Sequence, residues 1–257
     1  ELGELAASVN VMLTNLEKSR ERQKRLIGDA SHELRTPLTS MRTNVELLLA
    51  DQKTGMLPEQ ARGEILTDIA AQLGEFSSLI GDLVQLSHED APPPRPEIMD
   101  LADVVARAVQ RAKRRGPTMV FDVQTEPQLV LGDSQAIERS VTNLLDNAVK
   151  FSPSGGRITV RMADETITVA DEGPGISDED LPHIFDRFYR SDQSRNTPGT
   201  GLGLSIVAHT VNSHGGWIKA SRAPGGGALF TMHLPTVDPD DVAGDEPADS
   251  ESLLTSK

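Results

Sequence analysis

Among six histidines, one stands where an imidazole could act as a nucleophile. His32 lies in the run Asp29-Ala30-Ser31-His32-Glu33-Leu34-Arg35-Thr36-Pro37-Leu38. With an unperturbed pKa of about 6.5, a free imidazole is largely neutral at neutral pH, so one ring nitrogen keeps its lone pair. Glu33 can accept the other ring proton and hold that tautomer. Thr36, at i+4, shares a helical face with His32. His32 is two residues from both Ala30 and Leu34, members of an apolar stripe, so on a helix it points away from that stripe. His88, His183, His209, His214 and His233 share no metal-ligand spacing and read as surface or core fillers.

Three further clusters suit a nucleotide. In Asn143-Leu144-Leu145-Asp146-Asn147-Ala148-Val149-Lys150-Phe151 the two asparagines share a face at i, i+4, with Lys150 a turn beyond. Amide oxygens at Asn147 and Asn143 are hard neutral ligands suited to Mg2+, and Lys150 can neutralise phosphate charge. The same spacing also fits a plain surface pair. Asp171-Glu172-Gly173-Pro174-Gly175 follows a strand, where the Asp171 carboxylate can accept from the amino group of adenine; guanine has no donor there. Gly173 and Gly175 allow the backbone close to a ligand. Gly199-Thr200-Gly201-Leu202-Gly203-Leu204 opens a helix and offers N–H groups to phosphate. It lacks the Gly-Lys-Ser/Thr of a Walker A loop, and Leu204 occupies the third glycine position of the dinucleotide fingerprint.

The elements that would position these residues are readable from periodicity. An apolar stripe runs through Leu26, Ala30, Leu34, Leu38, Met41, Val45 and Leu48, and a second through Leu66, Ile69, Leu73, Phe76, Ile80 and Leu83. The steps of three and four are those of a helical-bundle seam, and the break at Asp51–Pro58 makes an antiparallel hairpin. One hairpin leaves its seam in water, so either two copies form a four-helix bundle or the hairpin packs on its own chain. The expectation is a homodimer. Ala91-Pro92-Pro93-Pro94-Arg95-Pro96 cannot continue a helix and reads as a linker over 91–96. Beyond it, helices are expected over Leu101–Arg115 and Asp133–Phe151. Strands are expected over Thr118–Gln124, Arg157–Met162, Thr166–Ala170, Trp217–Ser221 and Ala228–Leu234, the last two joined by Gly225-Gly226-Gly227. The fold class is α+β, a helical hairpin followed by an α/β sandwich.

Composition excludes several classes. The absence of cysteine rules out disulfides, thiolate metal sites and a Cys nucleophile. Of the net charge of -14, the segment 236–257 contributes -6, with seven acidic residues between Asp238 and Glu251 and a single Lys257. It reads as a disordered acidic tail. No basic face with interleaved aromatics favours nucleic acid, and no apolar run is long enough to span a membrane. Leu2, Leu5, Val9, Met12 or Leu13, and Leu16 open the chain in mid-pattern, as a helix continuing from something longer.

The run Asp29–Ser40 closely resembles the H-box of sensor histidine kinases. By that resemblance His32 would be the phospho-acceptor, Glu33 its acid–base partner, and Thr36 the residue positioning water when the protein acts as a phosphatase. Glu1-Leu2-Gly3-Glu4-Leu5 similarly resembles the end of a HAMP signal-relay module. That likeness implies a cytoplasmic portion (1–19 HAMP, 20–90 dimerisation and phosphotransfer) of a receptor anchored in the cell membrane upstream of residue 1. The three nucleotide clusters resemble the N, G1 and G2 boxes of the GHKL ATPases, and Ile184–Arg190 resembles the F-box. This implies an ATP-binding domain over 97–235 that uses ATP and Mg2+. Asn143, Asn147, Lys150, Phe151, Asp171, Gly173, Gly175, Gly199, Thr200, Gly201, Leu202 and Gly203 would contact nucleotide. Arg187 and Arg190 would touch phosphate or form surface salt bridges. The implied partner is a response regulator receiver domain. The rival readings are a GHKL ATPase driving a clamp or chaperone cycle, and a non-catalytic dimeric scaffold or a mainly phosphatase protein.

Overall fold

Helix α1 spans Leu2–Thr54 without interruption, carried through by a sequence dense in Leu, Ala, Glu, Arg and Gln. Pro37 sits inside it and removes one helical hydrogen bond without ending the helix. The computed structural model describes residues 2–87, 96–194, 197 and 199–237. For several helical residues, His32 and Glu33 among them, it describes the backbone alone. The expected linker (apart from Pro96) and the acidic tail beyond Val237 lie outside the described residues.

A tight turn reverses the chain into α2, Glu59–Ser87. Gly55 takes a left-handed backbone at φ +62, and the buried Asp51 carboxylate accepts from Leu57 N at 2.6 Å and from Arg62 Nε. Those bonds, Leu57 first and Arg62 second, hold the Asp51 carboxyl below its ordinary range. The hairpin divides its seam. Ile69, Phe76 and Leu83 are half-buried, whereas Leu66, Leu73 and Ile80 are 57%, 51% and 43% exposed. Leu38 and Val45 on α1 are exposed likewise. Each exposed set repeats every seven residues, the spacing of a seam that faces another helix pair.

The chain divides into two compact units, Glu1–Pro92 with Ile184–Ile206, and Pro93–His183 with Val207–Lys257. In the first, Leu79 and Leu86 of α2 are buried against Leu202 and Ile206, with Leu34, Leu83 and Phe188 packed around them. This is a second apolar line on α2, in which Leu79 and Leu86 flank Leu83, a residue it shares with the seam read from periodicity.

The second unit is an α/β sandwich. Its strands are β1 (Glu97–Asp100), β2 (Val120–Thr125), β3 (Leu129–Gly132), β4 (Arg157–Ala163), β5 (Thr166–Ala170), β6 (Trp217–Ala223) and β7 (Gly226–His233). Five form one sheet in the order β2-β4-β5-β7-β6; only the β2–β4 pair is parallel. Helices α3 (Leu101–Arg115) and α4 (Ser134–Phe151) pack on each other, and α4 packs on β4 and β5. The crossover from β2 to parallel β4 runs through α4, as a parallel pair requires. On α4, Ile137, Val141, Leu144, Leu145 and Ala148 are buried at helical spacing. Strands β4 and β5 alternate buried and half-exposed residues. Capping is explicit: Asp100 Oδ1 accepts from Ala102 N at 2.9 Å, and Asp133 Oδ1 from Gln135 N and Ala136 N at 2.9 and 3.1 Å. Helix α5, Gly203–Ser213, runs across the division between the units.

Several expected bounds shift. β2 begins at Val120, because Met119 N closes a turn onto Gly116 O. The β6–β7 turn falls at Pro224–Gly225, so Gly226 and Gly227 already belong to β7, beside a bulge at Arg222/Ala223. The antiparallel pair β1–β3 is absent from the expectation: at four residues each, its strands are too short to show period-two alternation.

Candidate functional site

Strand β5, central in the sheet, ends at Ala170, and the next residue, Asp171, is buried. Its Oδ1 accepts from Gly173 N at 2.8 Å and from Ala228 N at 3.0 Å, while its own N–H donates to Ala228 O at 3.0 Å. Oδ2 has no hydrogen-bond partner among the described residues. Burial pushes the Asp171 carboxyl up, and the two N–H donors pull against it. The carboxylate is therefore clamped through one oxygen and leaves the other for a ligand donor.

The loop after Asp171 depends on its glycines. A Cβ on Gly173 would lie 2.7 Å from Phe151 O and 2.9 Å from Asp171 Oδ1. Gly175, at φ +78, would meet Gly227 O at 3.0 Å. The C-terminal end of α4 thus abuts the loop through the Phe151 backbone. Lys150 is half-buried, with Nζ 4.9 Å from the centroid of the Phe151 ring. Asn143 and Asn147 are also half-buried, two turns and one turn before the helix end. Chemically, a carboxylate held through one oxygen suits an exocyclic amine, and two amides with a lysine on one helix suit phosphate and its counterion.

The remaining expected residues lie in the first unit. His32 falls on α1; its side chain and that of Glu33 are outside the described residues. Thr36 is exposed on the same helix. Gly201, at φ +72, would place a Cβ 2.7 Å from the Phe188 backbone, and Phe188 N donates to Gly201 O at 3.0 Å. That contact joins the Ile184–Arg190 segment to the glycine loop. Thr200 Oγ1 donates to the buried Asp82 on α2 at 3.2 Å and accepts from Leu202 N at 3.3 Å, just ahead of α5, which opens at Gly203. Leu202 is fully buried and Gly199 exposed. Arg190 donates through Nη2 to Ser194 O and Thr197 O, both at 2.6 Å, so in this structure it ties its own loop together. Arg187 is half-buried.

Sequence reasoning missed Ala228 and Gly227, which hold Asp171, because a glycine run announces a turn but not what the turn lies against. It also missed Asp82. Of the histidines it set aside, His214 accepts from Asp133 N through Nε2 at 3.0 Å and faces Thr210 O with Nδ1 at 2.6 Å. That pairing requires the neutral ring with its proton on Nδ1, pinning the end of α5 to the cap of α4.

Residues 22–92 match the family model of the His Kinase A (phospho-acceptor) domain, and residues 132–238 match that of the histidine kinase-, DNA gyrase B- and HSP90-like ATPases. A solved mycobacterial sensor histidine kinase MprB is 38% identical, with 98% of its length and 55% of this chain covered at a TM-score of 0.52. The chain belongs to the sensor histidine kinases. Among curated members it is 49% identical over 246 residues to the signal transduction histidine-protein kinase/phosphatase MprB of Mycolicibacterium smegmatis, covering 91% of this chain and 50% of that protein. It is 47% identical to the protein of the same name from Mycobacterium avium, covering 47% of it. The chain spans about half the length of the curated relatives it matches. The histidine kinase AdeS of Acinetobacter baumannii, 25% identical, aligns over 80% of this chain and 98% of its own at a TM-score of 0.60. This histidine kinase core therefore combines a helical N-terminal region with an ATPase fold whose nucleotide is ATP. No helix among the described residues is long and apolar enough to cross a membrane.

Proposed function

We propose that this chain phosphorylates its own His32 with ATP and passes the phosphoryl group to an aspartate of a response regulator. One observation carries the reading: a single chain holds His32 within the phospho-acceptor match and a half-held Asp171 carboxylate within the ATPase match. Asp171 Oδ2 accepts from the adenine amino group, and Lys150 faces phosphate. Among the described residues no cluster of His, Asp or Glu could hold a metal ion, so Mg2+ would rest on the amide oxygens of Asn147 and Asn143 and on phosphate. When bound, the ion neutralises charge on the phosphates.

The transfer is in line. A ring nitrogen of His32 attacks the γ-phosphorus; the N–P bond forms as the bond to the bridging oxygen of ADP breaks, and the imidazole proton passes to Glu33. Positioning supplies most of the acceleration in this chemistry. A receiver aspartate then takes the phosphoryl group, breaking the N–P bond. Thr36 would orient water for hydrolysis of the regulator's aspartyl phosphate, a role favoured by the kinase/phosphatase names of the relatives. The working unit is a homodimer through residues 20–88, supported by the exposed heptad lines of Leu66, Leu73 and Ile80 and of Leu38 and Val45. The resemblance of Glu1–Leu5 to a relay helix favours a membrane-anchored receptor with this portion in the cytoplasm.

Incubating the chain with γ-labelled ATP tests the reading. The wild type acquires acid-labile, base-stable phosphate, and His32→Ala binds ATP without acquiring it. Label retained on His32→Ala at wild-type level overturns the assignment.

A further inference from the structure

The clamp on Asp171 comes from two places, and one of them has no part in the motifs that mark the nucleotide site. Gly173 N belongs to the loop itself, but Ala228 N reaches across from β7. Directly before it stands Gly227, whose N–H donates to Gly173 O at 3.1 Å. Its φ is +29, in the region that favours glycine. A Cβ there would lie 1.9 Å from Asp171 O and 2.7 Å from Asp171 Oδ1. The first distance is to backbone and cannot be relieved by turning a side chain, so any larger residue must push β7 and Asp171 apart. The neighbours differ sharply. Gly225 and Gly226 have nothing within 4 Å of an added Cβ, although Gly226 carries a strained φ of +111.

We propose that Gly227 is a specificity-determining positioning residue: by letting the start of β7 touch Asp171, it fixes the carboxylate through Oδ1 so that Oδ2 reads the amino group of a 6-aminopurine nucleotide. The inference rests on the proposed ATP-binding role of Asp171. The two N–H groups on Oδ1 set the direction in which Oδ2 points. A carboxylate so aimed rewards an N–H donor and repels the O6 acceptor of guanine. If the β7 contact is pried open, the carboxylate can swing, and discrimination between the two bases falls even though the phosphate-binding residues of α4 are untouched.

The experiment compares ATP and GTP binding by the wild-type chain, Gly227→Ala and Gly225→Ala, using titration calorimetry with folding checked by circular dichroism. Gly225→Ala keeps the wild-type preference for ATP. Gly227→Ala loses about tenfold or more of that preference, the worth of one charge-assisted hydrogen bond, chiefly through weaker ATP binding. In an Asp171→Ala background, adding Gly227→Ala changes the preference no further. Should Gly227→Ala not fold, Gly226→Ala, which strains the same strand start without a clash, gives a smaller loss in the same direction. An equal weakening of both nucleotides, or an unchanged preference, overturns the inference while leaving the Asp171 reading in place. A wild type that binds ATP no better than GTP overturns both.

Discussion

Replacing Asp171 separates what its carboxylate does for the fold from what it does for a ligand. In Asp171→Ala, the N–H groups of Gly173 and Ala228 lose their acceptor. An unpaired buried donor costs about 1–3 kcal/mol, and because the Gly173 N–H is only half-buried the variant should lose about 2–4 kcal/mol of stability. That corresponds to roughly 5–15 °C in Tm for a domain of this size. Asp171→Asn keeps an Oδ1 acceptor for both bonds and removes a charge that burial disfavours. Because the folded-state pKa is raised, the folded chain holds that proton to higher pH than the unfolded chain does. Wild-type stability therefore climbs as pH falls through the folded value, and the ionised group is a liability above it. Asp171→Asn should then be at least as stable as the wild type at neutral pH, with an advantage that fades in acid. Its ligand behaviour is the reverse. Oδ2 becomes an amide N–H that faces the adenine amine, so ATP should bind about 10–100-fold more weakly, and the preference over GTP should vanish or invert. Thermal melts across pH and nucleotide titrations of both variants read this out. Wild-type ATP affinity in Asp171→Asn, or wild-type stability in Asp171→Ala, would refute the reasoning.

Two further outcomes are expected. Leu73→Glu puts a charge into the exposed heptad line of α2, where each buried leucine is worth about 1.5–3 kcal/mol and counts twice across a symmetric pair; sedimentation at micromolar concentration should show a helical monomer, and an undiminished dimer mass counts against the bundle. Arg115→Ala removes the cation from Asp146, whose carboxyl is raised by burial and whose Oδ1 is buried without a partner. The pair is partly exposed, so the loss at neutral pH should be about 1–2 kcal/mol. It should shrink as acid protonates Asp146, since the raised folded pKa puts the cost on the ionised form; a deficit that grows on acidification contradicts this account in denaturant melts.

Much of this protein was legible before any fold was known. The hairpin helices, α3 and α4 all follow from apolar spacing, since a helix must turn one stripe inward to be stable. Thr166–Ala170 alternates over its whole length and becomes β5 with the same bounds. Asp171 and its glycines stand out because a carboxylate at a strand end followed by two flexible residues is a local pattern. β1 and β3 were not legible, because a four-residue strand shows its character only when a partner pairs with it. Neither was the line of Leu79 and Leu86, which looks like ordinary helix filling until Leu202 and Ile206 cover it.

The sequence by itself determined which residues the proposed function rests on: an imidazole on a helix, amides and a lysine on another, a carboxylate after a strand. Only the tertiary structure decided how that carboxylate is held. Its second donor comes from Ala228, 57 residues further along the chain, across the β5–β7 ladder. Side-chain type and spacing are local properties, but a hydrogen bond between distant backbone groups exists only once the sheet has brought them together.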